Sequence, residues 1–321
     1  MAESPDVSII VAAFNAEQHI GRALGSALAQ TSLSLEVIVA DDASTDRTGA
    51  VVEAIGDDRL RLIRLADNLG PGGARNAALE VARGEWFAVL DADDWMEPGR
   101  LSKLIGVARD AGADIVADNL WVDVCGERSL LIEERLDDQW DAIDFAAYVL
   151  DNRPTKPGLG LGFLKPVFSA PFLKQHGLRY DPSLRIGEDF LLVAEMLARG
   201  AVYLRQRSAG YVYRRHLGSI SHRLGAAAAA AMVAADERFI GEHSLRAPPA
   251  FRSAISSHLA SAKDAAAFAR FVEAIKHSSW VDAAFEAARR PIVLTMLQEP
   301  LKARLAKLRS SGPVAGRVQS A

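Results

Sequence analysis

Asp91-Ala-Asp-Asp94 puts three carboxylates within four residues. Carboxylates are hard oxygen donors suited to Mg2+ or Mn2+. Magnesium typically takes one or two of them and fills its other positions with water and phosphate oxygens. Acids packed this closely repel one another unless a cation or good solvation compensates. A solvated acidic turn is the plain alternative, and the tripeptide alone is common. Its place directly after the apolar run Trp86 to Leu90 is what raises it. Asp41-Asp42 follows the run Glu36 to Ala40 in the same way. There Asp42 can accept a hydrogen bond from a nucleobase N–H; equally, Asp42, Ser44 and Thr45 can cap the next helix. Asn68-Leu-Gly-Pro-Gly-Gly-Ala-Arg-Asn76 joins a flexible turn to a helix start, where Arg75 can reach a base or phosphate. It matches neither a phosphate-binding Gly-Lys-Ser/Thr loop nor the dinucleotide fingerprint. Gly187-Glu-Asp-Phe190 sets two acids at the head of an apolar helix. They either complement the helix dipole or supply a general base for a hydroxyl. Tyr211-Val-Tyr-Arg-Arg-His216, with Ser219 and Ser221, is either a solvated basic loop or a cluster in which Arg214 and Arg215 face phosphate and His216 approaches a metal.

These segments need a scaffold that brings them together. Val7 to Ala13 is short, β-branched and nearly continuous in apolar residues, as a buried parallel strand is. Ile20, Leu24 and Leu28 then recur at helical spacing. Strands at 36–40, 61–65 and 86–90 alternate with helices through Val51, Val52 and Ile55 and through Ala77 to Val81. Such alternation predicts an α/β fold: a mainly parallel, Rossmann-like sheet flanked by helices on both faces. Ligands of such sheets sit beyond the carboxyl ends of the strands, where Asn15, Asp41-Asp42 and the Asp91–Asp94 acids all fall. Further strands are expected at 115–120 and within 201–213, a helix at 188–197, and loop from 156 to 171. From about residue 225 the alanine-rich composition predicts helices, separated at Pro248-Pro249 and Pro291. The division expected is 1–224 for an α/β domain and 225–321 for a helical C-terminal extension.

Composition narrows the class. The 321 residues are 50% hydrophobic and 24% charged, with a formal net charge of −4, so the chain as a whole is not an electrostatic binder of nucleic acid. Cys125 is the only cysteine; an internal disulfide is impossible, which agrees with a reducing compartment. The run Val7 to Phe14 is too short for a signal peptide, and Glu3 and Asp6 precede it in place of a basic region. No apolar stretch reaches the length of a membrane span. A cytoplasmic enzyme is expected.

Taken in order, the segments resemble glycosyltransferase family 2, the inverting enzymes of the GT-A fold. The resemblance covers about residues 5 to 222. It rests on Val7-Ser-Ile-Ile-Val, Phe14-Asn15, Asp41-Asp42-Ala-Ser-Thr-Asp46, Asn68-Leu-Gly, Ala74-Arg75-Asn76, Gly84-Glu-Trp-Phe, Leu90-Asp-Ala-Asp-Asp94, Lys165-Pro166, Gly187-Glu-Asp-Phe190 and Tyr213-Arg214 with Ser219-Ile-Ser221. Within the family the chain resembles bacterial exopolysaccharide glucosyltransferases of the succinoglycan type. The resemblance implies a nucleoside-diphosphate-sugar donor, UDP-glucose by family frequency, and a saccharide or lipid-linked acceptor. Phe14 stands where a tyrosine often stacks on uracil, so the ring is kept and the hydroxyl lost. Ala12 replaces a proline or small hydroxyl residue. Asp42 would bind the uracil edge, Arg75 the base or phosphates, and Arg214 the diphosphate. Asp91 and Asp93 would form the metal pair for Mn2+ or Mg2+, with Asp93 the direct ligand and His216 a further one. Asp189 would be the catalytic base, with Glu188 as the neighbour that can be confused with it.

Two other functions are weighed. A sugar-1-phosphate nucleotidyltransferase shares such a core but needs a Gly-rich basic loop after the first strand, where Ala12-Ala-Phe-Asn15 stands instead. A non-catalytic nucleotide-binding assembly subunit has no need of both the acidic pair and Glu188-Asp189. In the tail, Leu301-Lys-Ala-Arg-Leu-Ala-Lys-Leu-Arg309 alternates apolar and basic residues. It is either an ordinary solvated helix or a peripheral contact with the inner face of an anionic membrane.

Overall fold

The computed structural model of the chain describes residues 4–215, 224–244 and 247–297. His216, Ser219, Ser221 and the tail at 301–309 lie outside the described residues.

The first half alternates as β1 (Val7–Ala13), α1 (Ile20–Leu28), β2 (Leu35–Asp41), α2 (Thr48–Glu53), β3 (Leu60–Arg64), α3 (Gly70–Val81) and β4 (Trp86–Val89). Next come β5 (Trp95–Met96), α4 (Arg100–Ala111), β6 (Ile115–Val124), β7 (Glu127–Leu130), β8 (Trp140–Ala142), α5 (Phe145–Asp151) and a 3-10 turn at Leu161–Phe163. The rest is β9 (Val167–Ser169), α6 (Ala170–Gln175), α7 (Glu188–Ala198), β10 (Tyr203–Arg214), α8 (Ala226–His243), α9 (Pro249–Lys276), α10 (Trp280–Arg289) and α11 (Ile292–Met296).

The strands form one ten-stranded sheet in the order β3-β2-β1-β4-β9-β6-β10-β5, with β7 on β6 and β8 on β10. β3, β2, β1 and β4 run parallel. All of β2 and most of β1 are buried, because helices cover both faces and leave no polar side. β9 departs from the expected parallel order. It is wedged antiparallel between β4 and β6, inside the Gly- and Pro-rich stretch whose composition reads as loop. β10 runs parallel to β6 with register shifts between Gln206 and Tyr211. At that bulge the Gly210 N–H donates to Asp118 Oδ2 at 2.7 Å. A bulge re-aims the side chains beyond it, and here it turns Tyr211 toward the end of β4.

The helix expected after the Gly-rich turn starts within it. Gly70 already belongs to α3, at φ +80, and Pro71 occupies the first turn. Asp42 caps this start, accepting the N–H groups of Leu69 (2.7 Å) and Gly70 (2.9 Å). At the opposite edge of the sheet, Gly84 approaches so closely that a Cβ would lie 2.4 Å from the Ser8 nitrogen.

α8 and the first half of α9 pack on α5 and α7. Phe239, Ala254 and Ile255 belong to the same buried cluster as the sheet, and Phe251 stacks on Phe145 at 3.7 Å. Farther out, Ala267, Phe271, Ala283 and Val293 form a smaller cluster of their own. Among the described residues no helix is long and apolar enough to cross a membrane.

Candidate active site

The carboxyl ends of β1, β2 and β4 open on one edge, joined there by α3, α7 and the loop before β9. Arg75 of α3 is the hub. Its guanidinium is 4% exposed. Nη2 meets Asp91 Oδ1 at 2.8 Å; Nη1 meets Glu188 Oε1 at 2.7 Å and Asp189 Oδ1 at 3.0 Å. Lys165 completes the ring, with Nζ 2.8 Å from Asp91 Oδ2 and 3.2 Å from Asp189 Oδ2. The two cations therefore take both oxygens of Asp91 and link them to α7.

Burial disfavours charge at each of these groups, and mutual attraction decides the outcome. At Asp91 burial pulls upward, but Lys165 and Arg75 hold the carboxyl well below the usual range. Burial opposes the charges of Lys165 and Arg75 too, yet the surrounding carboxylates raise both above their ordinary values. Glu188 goes the other way: burial, then the charge of Asp189, push it up against the pull of Arg75. Asp189 is the more accessible of the two acids, its side chain 23% exposed against 9% for Glu188.

The acids after β4 form a tight turn, the Asp94 N–H donating to the Asp91 carbonyl at 3.1 Å. Asp94 points inward and is buried. It accepts from the Tyr211 hydroxyl and from the Arg214 N–H, each at 2.8 Å. The same hydroxyl accepts the Asp91 N–H at 3.1 Å. Burial, then the charges of Asp91 and Asp93, push Asp94 well above the carboxylate range. Asp93 is partly exposed on the turn. Behind it, the buried Arg100 pairs with Asp118 at 2.8 Å and donates to the Lys165 carbonyl. The backbone that carries Lys165 is thereby fixed.

The other expected site residues lie around this centre. Phe14 is half exposed just past β1. Asp42 is buried and caps α3, whereas Asp46 serves the start of α2 through the Thr48 N–H at 2.9 Å. Arg75, expected at a base or phosphate, is paired with three carboxylates. The Arg214 side chain lies 2.7 Å from His19 Nδ1. His216 is outside the described residues. Lys165 and Tyr211 received no role from their sequence. A lone lysine in a Gly- and Pro-rich loop, and a tyrosine in a strand, carry no signal of partners that lie 74 and 117 residues away.

The sequence profile described as Glycosyl transferase family 2 matches residues 8–148. Over 305 residues the chain is 41% identical to the Succinoglycan biosynthesis protein ExoO of Rhizobium meliloti, covering 95% of this chain and 87% of that one. It is 28% identical over 218 residues to the UDP-Glc:alpha-D-GlcNAc-diphosphoundecaprenol beta-1,3-glucosyltransferase WfaP of Escherichia coli, covering 67% of this chain and 79% of the other. Among solved structures, the fold is like that of a mannosyltransferase of Pyrobaculum calidifontis in complex with GDP-Man and Mn2+. The TM-score is 0.56 at 20% identity, over 91% of this chain and 81% of that one.

Proposed function

The chain belongs to glycosyltransferase family 2, and from that premise we propose that it moves a glucosyl group from UDP-glucose to a saccharide or lipid-linked acceptor in exopolysaccharide synthesis, with inversion at the anomeric carbon. Similarity to a succinoglycan biosynthesis protein and to a UDP-Glc-dependent glucosyltransferase supports the pathway class and the donor. The observation that carries the site assignment is the Arg75 bridge, which ties the acidic turn after β4 to the acids that open α7.

The residues present fit a divalent cation, Mn2+ or Mg2+. Even with the raised Asp94 and Glu188 left out, Asp91, Asp93 and Asp189 outnumber Arg75 and Lys165 in a largely buried centre, a charge balance that favours one more cation. Asp93 would hold it, because Asp91 is engaged by Arg75 and Lys165 and Asp94 faces inward. When bound, such a cation neutralises charge on the departing diphosphate. On this reading Asp91 acts by orienting Arg75 and Lys165, and His216 is retained as a candidate second ligand.

Asp189 takes the proton of the acceptor hydroxyl. As the new carbon–oxygen bond forms, the bond from the anomeric carbon to the diphosphate oxygen breaks and its electron pair leaves with the nucleotide. Asp189 is preferred to Glu188 because it is the more exposed and lines a small cavity with Lys165, Leu161 and Gly162. Phe14 offers its ring to the base, and Arg214 is assigned to the diphosphate. Asp42 is assigned to the base edge, since a carboxylate that accepts two N–H groups still has lone pairs to offer. Arg75 arranges the carboxylates in place of touching the nucleotide. Catalysis is assigned to residues 1–224 and support of the site to the helical extension at 225–321.

General-base help is worth about 10²–10⁴-fold, so Asp189→Asn should slow transfer by that factor while the UDP-glucose-induced rise in melting temperature with Mn2+ persists. A near wild-type rate in that variant removes the base assignment. Asp93→Ala should lose the Mn2+ dependence of that thermal shift; if the dependence stays, the metal assignment fails.

A peripheral contact with the inner face of an anionic membrane is supported by the outer face of the extension. Trp280, Val281 and Phe285 of α10 and Leu294 of α11 are exposed, and the sequence beyond them carries Lys302, Arg304, Lys307 and Arg309. Apolar side chains beside basic ones suit a lipid surface with a lipid-linked acceptor. Binding to phosphatidylglycerol vesicles that is unchanged in a Trp280→Ser/Phe285→Ser variant lacking residues 300–321 removes this contact.

A further inference from the structure

The helical extension reaches the opening of α7 through a buried polar couple. His258 of α9 is 1% exposed and Asp236 of α8 is 4% exposed. His258 Nε2 lies 3.4 Å from Asp236 Oδ2, an oxygen with no hydrogen bond among the described residues. The imidazole lies flat on the ring of Phe190, 4.3 Å between centroids and 12° from parallel. Phe190 is the residue after Asp189, and Tyr148 of α5 runs parallel to its ring at 5.6 Å. One turn along α9, Ser261 accepts the Thr155 N–H at 2.9 Å. That bond anchors the loop that leads to Leu161 and Lys165 at the site.

An apolar side chain would fill the place of either polar group at lower cost, because a buried polar group without a good partner is unfavourable. Burial holds both groups toward their uncharged forms: Asp236 rises to about 7 and His258 falls to about 4. The pair is then a neutral contact that orients a flat ring, a thing an aliphatic side chain cannot do.

We infer that His258 is a positioning residue: lying flat on Phe190, it fixes that ring and through it the placement of Asp189 against the acceptor. This rests on Asp189 being the base. A misplacement of about 1 Å can cost about 10²-fold in rate. His258→Ala should therefore lower kcat of transfer at least tenfold while KM for UDP-glucose stays within twofold. His258→Phe, which keeps a flat ring on Phe190, should recover kcat to within about threefold of the parent. All variants are assayed at a temperature where thermal melting shows them folded. If His258→Ala does not fold, His258→Leu, which fills the space without a flat face, takes its place. A folded Ala or Leu variant with kcat within twofold of the parent overturns the inference, as does a loss that the Phe variant fails to restore. Asp189→Asn measured alongside separates the two readings. Loss there with a normal His258→Ala refutes only the positioning role, whereas retention there refutes the base itself.

Discussion

Replacing Arg75 by alanine tests the charge balance of the site directly. The guanidinium answers three carboxylates, but not equally. Asp91 and Asp189 keep Lys165 at 2.8 and 3.2 Å, whereas Arg75 is the one cation paired with Glu188 among the ion pairs of the described residues. Glu188 is the stranded charge. Breaking a buried pair on one side costs about 3–5 kcal/mol, unless the remaining acid takes up a proton. In the parent Glu188 already lies above its ordinary value, through burial and Asp189; without Arg75 it should rise further. The sign follows from linkage. An acid whose folded pKa exceeds its unfolded value, about 4.3 for glutamate, binds more protons in the native state, so stability falls as pH rises. The slope is about 1.4 kcal/mol per pH unit, starting above the unfolded value and ending at the new folded one. The parent has the same sign over a narrower window, and the depressed Asp91 has the opposite sign only below about pH 4. Urea unfolding at pH 5, 6, 7 and 8 should thus show a deficit that grows with pH toward about 3–5 kcal/mol at an unchanged m-value. A deficit below about 1 kcal/mol and flat over that range would show that solvent already compensates Glu188, and the account of the hub would be wrong.

Other substitutions probe neighbouring contacts. Tyr211→Phe removes a hydroxyl that accepts from the Asp91 N–H and donates to Asp94. Urea unfolding should register a loss of about 1–3 kcal/mol from the polar groups left unsatisfied, with a slower transfer rate because the acidic turn loses its brace. Gly84→Ala puts a Cβ 2.4 Å from the Ser8 backbone nitrogen and should lose about 1–3 kcal/mol or more. Gly106→Ala, in mid-helix α4 with nothing within 4 Å of the added Cβ, should instead gain about 0.5–1 kcal/mol. Equal melting temperatures for the two alanine variants would contradict the packing read at the start of β1.

The scaffold was legible where one physical signal dominated. The nearly continuous apolar runs of β1 and β2 follow from burial on both faces, and the sharp acidic stops after β2 and β4 mark the strand ends. β9 was not legible. Three residues in a Gly- and Pro-rich stretch carry no period, and antiparallel insertion is settled by the neighbouring strands β4 and β6. The acids at 91, 93, 188 and 189 stood out because carboxylates beside apolar runs are unusual. Their partners did not, because pairing is a long-range property: Arg75 lies 114 residues from Asp189. From its sequence Arg75 is an open donor of hydrogen bonds; in the fold Nη1 and Nη2 are engaged by carboxylates, and Nε is buried without a partner among the described residues. The alanine-rich composition of α9 announced a helix but concealed His258, whose significance lies in the ring it covers.

The acidic turn after β4 shows why a motif and its mechanism are different things. Chemically Asp91, Asp93 and Asp94 are the same group, and by sequence they are interchangeable donors. The hydrogen bond from the Asp94 N–H to the Asp91 carbonyl closes the turn, and a closed turn sends successive side chains in different directions. Asp91 is sent toward Arg75 and Lys165, Asp94 into the protein toward Tyr211, and Asp93 stays partly exposed. The cations beside Asp91 stabilise its charge; burial opposes charge at Asp94. On the proposed reading, a cation drawn to the negative charge of the turn would be held by Asp93. On this division of labour Asp91→Asn and Asp93→Asn should differ in kind. The first should disorganise Arg75, Lys165 and the acids of α7, lowering stability as well as rate. The second should leave the melting temperature nearly unchanged and abolish the response to Mn2+. Identical effects of the two on melting temperature and on metal response would show that the carboxylates act as one ligand set after all.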